Sequence, residues 1–172
     1  MSKEETKLYL DDEETGLSRE TSHPNFTEHF SEEFYYDCMD DEAPFGNDNG
    51  SDTLYELEDL FKSGEYEGKI LGLPKKIVSV VWDLHYLEPD NFSRKKLADL
   101  IEEDEFSLIA TDQVIIAVAL GEIKITGKIE PKLKELALKA MKRQKIVFEL
   151  LDSEGSGTYD KIMSDLESFE NK

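Results

Sequence analysis

Apolar residues recur through the second half of this chain at the three- and four-residue spacing of one helix face. The longest run lies in EPKLKELALKAMKRQKIVFELL. There Leu133, Leu136, Ala137, Ala140, Met141, Gln144 and Val147 trace a single stripe, and Pro131 stands where a first helical turn tolerates it. Upstream, Leu54, Leu57, Leu60 and Phe61 predict a helix over 54–61, with Thr53 and Glu56 in capping-box spacing and glycines in KSGEYEG to end it. LPKKIVSVVWDLHYLEPD predicts another helix, striped by Ile77, Val80, Val81 and Leu84 and stopped at Pro89. FSRKKLADLIEED predicts a shorter one with Ser93 as its N-cap. After the break DSEGSGTYD, a last amphipathic helix runs through Tyr159, Ile162, Met163, Leu166 and Phe169.

Two stretches resist this reading by period. LIATDQVIIAVALGEI, residues 108–123, is apolar nearly all round, as a central buried helix would be, yet its β-branched content suits a strand equally. IKITGKIE behind it alternates, so a short hairpin stays open. In HPNFTEHFSEEFYYD, Phe26, Phe30 and Phe34 fall four apart and predict a stripe that docks on the core. Residues 1–21 are polar and acidic apart from KLYL at 7–10; they are expected to form a flexible arm with at most one short strand. The fold class is therefore mainly α: one helical domain over 22–172, of five or six helices, behind an acidic and partly irregular N-terminal segment.

Charge changes the picture more than composition does. At 172 residues and 38% hydrophobic, the chain can bury a core. It carries 40 acidic against 20 basic residues, and residues 1–60 hold 19 of the acids with only 3 basic side chains. Such a field repels phosphate backbones and anionic lipid heads, which argues against nucleic-acid and membrane-surface binding. It attracts cations and basic proteins. The single cysteine, Cys38, rules out an intrachain disulfide framework, and MSKEETKLYLDDEETG has no apolar core of signal-peptide length. VIIAVAL at 114–120 is too short to cross a bilayer. A cytoplasmic protein is expected.

APFGNDNGSD, residues 43–52, is the one stretch with the letters of a calcium loop. With Gly50 in the turning sixth place, Asn47 and Asn49 fall third and fifth and Glu56 twelfth. The first ligand is then Phe45, which has no oxygen to give, and the usually aliphatic eighth place is Asp52. A turn fits better. Pro44 stiffens the approach, Gly46 follows, Asn47 and Asp48 fold back as Asx-turns, and the Asn49–Gly50 pair takes positive φ easily. Ser51, Asp52 and Thr53 then offer cap oxygens to the next helix, with Phe45 as an apolar plug ahead of them.

Other candidates are weaker. His23 and His29, with Asp48 and Asp52, are candidate metal ligands, but the six-residue separation of the histidines matches no helical face. His85 reads as a half-buried, satisfied histidine beside the Trp82 stripe. Cys38 lies among Asp37, Asp40, Asp41 and Glu42, which disfavour a thiolate. No H-E-x-x-H, C-x-x-C, G-x-S-x-G, Walker A or dinucleotide fingerprint occurs, so no catalytic residue and no cofactor is assigned. Lys142, Arg143 and Lys145 in MKRQK read as a solvated helix face.

The succession HPNF at 23–26, FYYD at 34–37, DDEAPFGNDNGSDTL at 40–54 and DQVIIAVALGEIKITGKIEPKLKELALKAMKRQ at 112–144 resembles the bacterial YfeS-like proteins over roughly residues 22–150. PFGNDNGSD is also similar to a domain of unknown function marked by W-G-x-G-P-F-x-N-D-x-A-x-D. Pro44, Phe45, Asn47, Asp48 and Asp52 match it; the leading Trp-Gly is absent and Gly50 replaces the alanine. The resemblance implies a helical fold and carries over no catalytic residues. Some YfeS-like proteins accompany a DNA-associated module with a W-G-R signature, which does not occur here. The function expected first is a non-enzymatic interaction module, inhibitor- or immunity-like, that offers its acidic first third to a basic protein. The alternatives are a metal-dependent enzyme or metal-binding regulator, and a structural module whose acidity serves solubility alone.

Overall fold

The computed structural model describes residues 7–90, 93–152 and 157–171. Among these are six α-helices and no strand: α1 Pro24–His29, α2 Asp48–Lys62, α3 Leu73–Lys76, α4 Arg94–Thr126, α5 Pro131–Leu150 and α6 Thr158–Ser168. A 3₁₀ turn, Glu33–Tyr36, lies between α1 and α2, and a π-helical turn, Ile77–Val81, continues α3.

The stretch that periodicity left undecided is the axis of the fold. From Ser107 to Ile125 nearly every side chain of α4 is buried, and α1, α2, α3 and α5 all pack on it. An all-round apolar helix has no water-facing side, so it must be sheathed by its neighbours. By length and composition α4 meets the measure of a membrane span, which the seven-residue run within it does not; 78% of that apolar window is buried inside the fold. The alternating IKITGK sequence joins the same helix, which ends where Gly127 takes φ 78° and its N–H reaches the Ile123 carbonyl at 2.7 Å. No hairpin forms among the described residues.

The expected third helix and the central one are both present in α4 and meet at a kink at Asp104, whose φ of −161° and ψ of 69° are not helical. Asp104 restarts the helix as a cap would, its Oδ1 accepting the Ser107 N–H at 3.1 Å. Ser93 caps the front end through the Lys96 N–H.

α2 crosses α4 at a glycine. A Cβ on Gly121 would lie 2.5 Å from Leu57 Cδ2, so a side chain there would have to displace that methyl group. Leu54, Leu57 and Phe61 are buried in this contact. The apolar stripe of α5 faces α4 as its spacing predicts, with Leu133, Ala137, Ala140, Met141, Gln144 and Val147 buried; α6 then packs on α5 through Ile162 and Leu166.

Five local expectations are corrected. α2 starts six residues earlier than the stripe indicates, at Asp48. Thr53 spends its hydroxyl on the Asn49 carbonyl at 2.6 Å instead of forming a capping box with Glu56. Beyond Pro74 the inward face is Leu73, Pro74, Ile77 and Val78, whereas Val80 and Val81 are exposed. The π turn closes Trp82 N–H on Ile77 O, five residues back, and Asp83 leaves it at φ 54°, so the 3.6-residue period no longer holds. In the aromatic segment α1 stops at His29; Phe26, Phe30 and Tyr35 are buried and Phe34 only partly. His85 is exposed, its Nδ1 3.0 Å from Asp104 Oδ2.

Residues 7–21, expected as part of a flexible arm, lie against the end of α4; residues 1–6 are outside the described part. Tyr9 N–H donates to the Ile125 carbonyl at 3.0 Å. The fully buried Lys124 Nζ donates to Asp11 Oδ1 at 2.7 Å and to the Thr21 carbonyl at 3.3 Å. Glu58 of α2 stands beside this pair. Burial and then the Asp11 charge push its carboxyl up to about 7, against the pull of Lys124.

Candidate functional site

The turn ahead of α2 is held by Asn47 and by two glycines that have no room for a Cβ. Asn47 is the N-cap of α2: its Oδ1 accepts the Gly50 N–H at 2.6 Å and its Nδ2 donates to the Ala43 carbonyl at 2.9 Å. One side chain thus spans the whole turn. A Cβ on Gly50 would collide with the Pro44 carbonyl, and one on Gly46 with the carbonyls of Asp37 and Asp40. Phe45 is 1% exposed and sits among core aromatics, its ring centroid 6.5 Å from that of Phe26. Asp48 and Asp52 are exposed on the outer face of α2. Ser51, Asp52 and Thr53 are inside the helix, so Asn47 holds the capping role that the sequence suggests for them.

The candidate metal ligands do not converge. His23 caps α1, its Nδ1 accepting the Asn25 N–H at 3.0 Å while its backbone N–H reaches the Lys124 carbonyl. Burial lowers its pKa. His29 docks α6, with Nε2 2.6 Å from the Asp165 carbonyl and 3.0 Å from Ser168 Oγ. Among the described residues no group of three or more His, Cys, Asp or Glu side chains is placed to hold a metal ion.

The acidic first third divides in two. Asp11 is paired and Glu58 is buried, so that part of the charge is internal. The rest is displayed. Asp48, Ser51, Asp52, Tyr55 and Asp59 are exposed at helical spacing along α2, on the side opposite its contact with α4. The 37–42 loop lies against Gly46 at the start of that helix and exposes Asp37, Cys38, Met39 and Asp41. Met39 is 83% exposed and Tyr55 67%. Among the described residues no lysine or arginine pairs with Asp41, Asp48, Asp52, Glu56 or Asp59. Acids elsewhere do find partners, Glu149 with Arg94 and Asp160 with Lys145.

A small cavity of about 10 Å³ opens behind the 37–42 loop, where the turn meets α4, α5 and α6. Glu42, Pro44, Asn47, Gln113, Gln144 and Tyr159 line it, over an apolar floor of Ile116, Met141 and Ile162. Gln113 Oε1 accepts from Asn49 Nδ2 at 2.7 Å. Gln144 is 1% exposed, and its Oε1 is the buried side-chain polar atom without a hydrogen-bond partner among the described residues. Tyr159 has its phenol pushed up to about 12, by burial first and then by Glu42, Asp40 and Asp41.

A larger open cleft, about 370 Å³, lies between the end of α2 and the α4–α5 junction, with Phe61, Tyr66, Ile70 and Glu122 in its walls. Glu122 Oε1 accepts the Glu130 N–H at 2.7 Å, and burial raises its carboxyl to about 7.

Arg143, read from its neighbours as part of a solvated face, is 2% exposed. It sits one position off the apolar stripe of α5 and pairs with Asp112, buried on α4. Burial pushes the Asp112 carboxyl up and the guanidinium opposes it. Gln144, by contrast, stands on the apolar stripe itself. A polar side chain in that position is the one sequence signal that leads to the cavity.

Over 166 residues the chain is 35% identical to the "Uncharacterized protein YfeS" of Escherichia coli strain K12, an alignment that spans 95% of this chain and 68% of that protein. No family model matches the chain, and no solved structure does.

Proposed function

The chain belongs to the YfeS family, and for this member we propose a non-enzymatic, cytoplasmic interaction module that binds a basic protein through the outer face of α2 and the 37–42 loop. The observation that carries the reading is the row of exposed acids without basic partners, Asp41, Asp48, Asp52 and Asp59, around the exposed side chains of Met39 and Tyr55. Like charges set side by side repel one another, so their concentration on one face favours an oppositely charged surface. Long-range attraction of that kind steers encounter, while exposed aromatic and thioether groups supply the apolar contact that holds a complex. An inhibitor- or immunity-like role against a basic enzyme fits this chemistry, because carboxylates occupy surfaces built for phosphates.

The test is co-purification with the full-length chain against an Asp41→Asn/Asp48→Asn/Asp52→Asn variant. The reading expects partners of high isoelectric point that are retained at low salt, released at high salt and lost with the variant. Partners without a basic bias, or binding indifferent to salt and to the three substitutions, would leave acidity with a role in solubility alone.

A further inference from the structure

The cleft at the tail of α2, about 370 Å³, lies within the roughly 300–1,000 Å³ of small-molecule sites. Its walls are mostly apolar. Ile70 and the exposed Leu71 come from the segment after α2, and beside them the Phe61 and Tyr66 rings meet with centroids 4.7 Å apart.

One polar group among them has capacity to spare. Glu122 of α4 is half-buried, and its Oε1 accepts the Glu130 N–H at 2.7 Å. A carboxylate has a second oxygen, and Oε2 has no hydrogen-bond partner among the described residues. Burial pushes this carboxyl up, and no cationic neighbour offsets it. The Thr126 hydroxyl is already engaged, donating to the Glu122 carbonyl at 2.8 Å and accepting the Lys128 N–H at 3.2 Å. At the rim the exposed Glu67 and Glu130 outnumber Lys132.

An uncompensated acid in apolar surroundings gains most from a cation that brings its own N–H donors. Among the described residues no three ligating side chains gather to hold a metal ion, so an organic cation is the one that suits. The walls call for an apolar body behind the charge, and aromatic faces favour an ammonium as well. We infer that this cleft binds a small organic amine, its ammonium set against Glu122 Oε2 and its apolar body packed along Tyr66, Ile70 and Leu71.

This site goes beyond the acidic face and does not depend on it. The 37–42 loop lies against Gly46 at the head of α2, whereas Phe61 brings the cleft to the tail. Glu122 anchors the ligand and takes part in no reaction.

The experiment titrates the full-length, ¹⁵N-labelled chain with phenethylamine, and in parallel with 2-phenylethanol, 3-phenylpropionate and Nα-acetyl-lysine amide. Phenethylamine is expected to shift the Tyr66, Ile70 and Thr126 amides saturably at about millimolar concentration, and the other three to bind about tenfold more weakly or not at all. Besides Glu122, the ionisable groups facing the cleft are Tyr66, Glu67, Glu130 and Lys132. As Glu122 gives up its proton, wild type is expected to bind the amine about fivefold tighter at pH 8 than at pH 6. Glu122→Gln is expected to bind it equally at both and about tenfold more weakly than wild type at pH 8. The wild-type selectivity and pH profile carry the test even where that variant folds poorly.

Equal affinity for 2-phenylethanol overturns the proposal, because the cleft would then be an apolar slot indifferent to charge. Shifts confined to Asp48, Asp52 and Asp59 also overturn it, as attraction of a cation to the acidic face. An equal response to the capped lysine would assign the cleft to a protein side chain in place of a small molecule. The absence of any saturable shift removes the site outright.

Discussion

Arg143 of α5 grips Asp112 of α4 through three N–H···O contacts of 2.7, 3.0 and 3.2 Å, and the same guanidinium donates to the carbonyls of Leu87 and Glu88 at 2.6 and 2.8 Å. One side chain therefore ties two helices and the irregular segment before α4 together. A buried charge left without its partner is what destabilises such a site. Arg143→Met is expected to cost about 3–5 kcal/mol in urea unfolding. The double variant Arg143→Met/Asp112→Leu is expected to recover most of that loss. A single variant within about 1 kcal/mol of wild type would show that the pair does not hold the fold together.

The cap of α2 separates structural from displayed residues in the 43–52 turn. Asn47→Ala removes the acceptor for the Gly50 N–H and the donor to Ala43, and is expected to cost about 1–2 kcal/mol. Asp48→Asn and Asp52→Asn, on the exposed face, are expected to stay within about 0.5 kcal/mol. Equal effects at all three positions in thermal denaturation would contradict this division.

Glycines in different settings give an internal control. Gly50→Ala drives a methyl group into the Pro44 backbone and is expected to lose about 1–3 kcal/mol or more. Gly72 has ordinary negative φ and no atom near its missing Cβ, so Gly72→Ala is expected to be neutral or to stabilise by about 0.4–1 kcal/mol. Unfolding midpoints of the two variants check both signs.

Glu122 makes stability depend on pH. Its folded carboxyl titrates near 7 and its ordinary value is 4.5, so the fold retains a proton that the unfolded chain gives up. Its contribution is full below about 4.5 and is lost as pH rises through about 7. Glu122→Gln keeps an acceptor for the Glu130 N–H. It is expected to flatten this decline and raise stability above pH 7, read as unfolding midpoints across the range. An unchanged pH profile would place the carboxyl in water.

The helical class was legible because α5 and α6 follow a 3.6-residue stripe and α2 shows most of one. Other features depend on contacts that no local pattern encodes. Arg143 lies 31 positions from Asp112, and only the crossing of α5 over α4 makes a basic residue beside the stripe an interior one. The π turn after α3 could not be seen either, since apolar spacing reports a face only while the helix keeps its period. The break at Asp104 falls at the end of the predicted FSRKKLADLIEED helix; that its side chain also caps the restart required the Ser107 contact. The 43–52 turn was recognisable by composition, but choosing Asn47 over Thr53 as the cap required the Ala43 and Gly50 contacts.

That interruption gives α4 two stabilities. Ahead of Asp104 only Leu97 is buried, whereas beyond it nearly every residue from Ser107 to Ile125 is. Local opening is governed by how much apolar surface an element must expose. The front turns are therefore expected to exchange amide hydrogens through small, frequent fluctuations, and the rear turns only when the whole molecule unfolds. The two segments of α4 are expected to open as separate cooperative units, with the boundary at one aspartate.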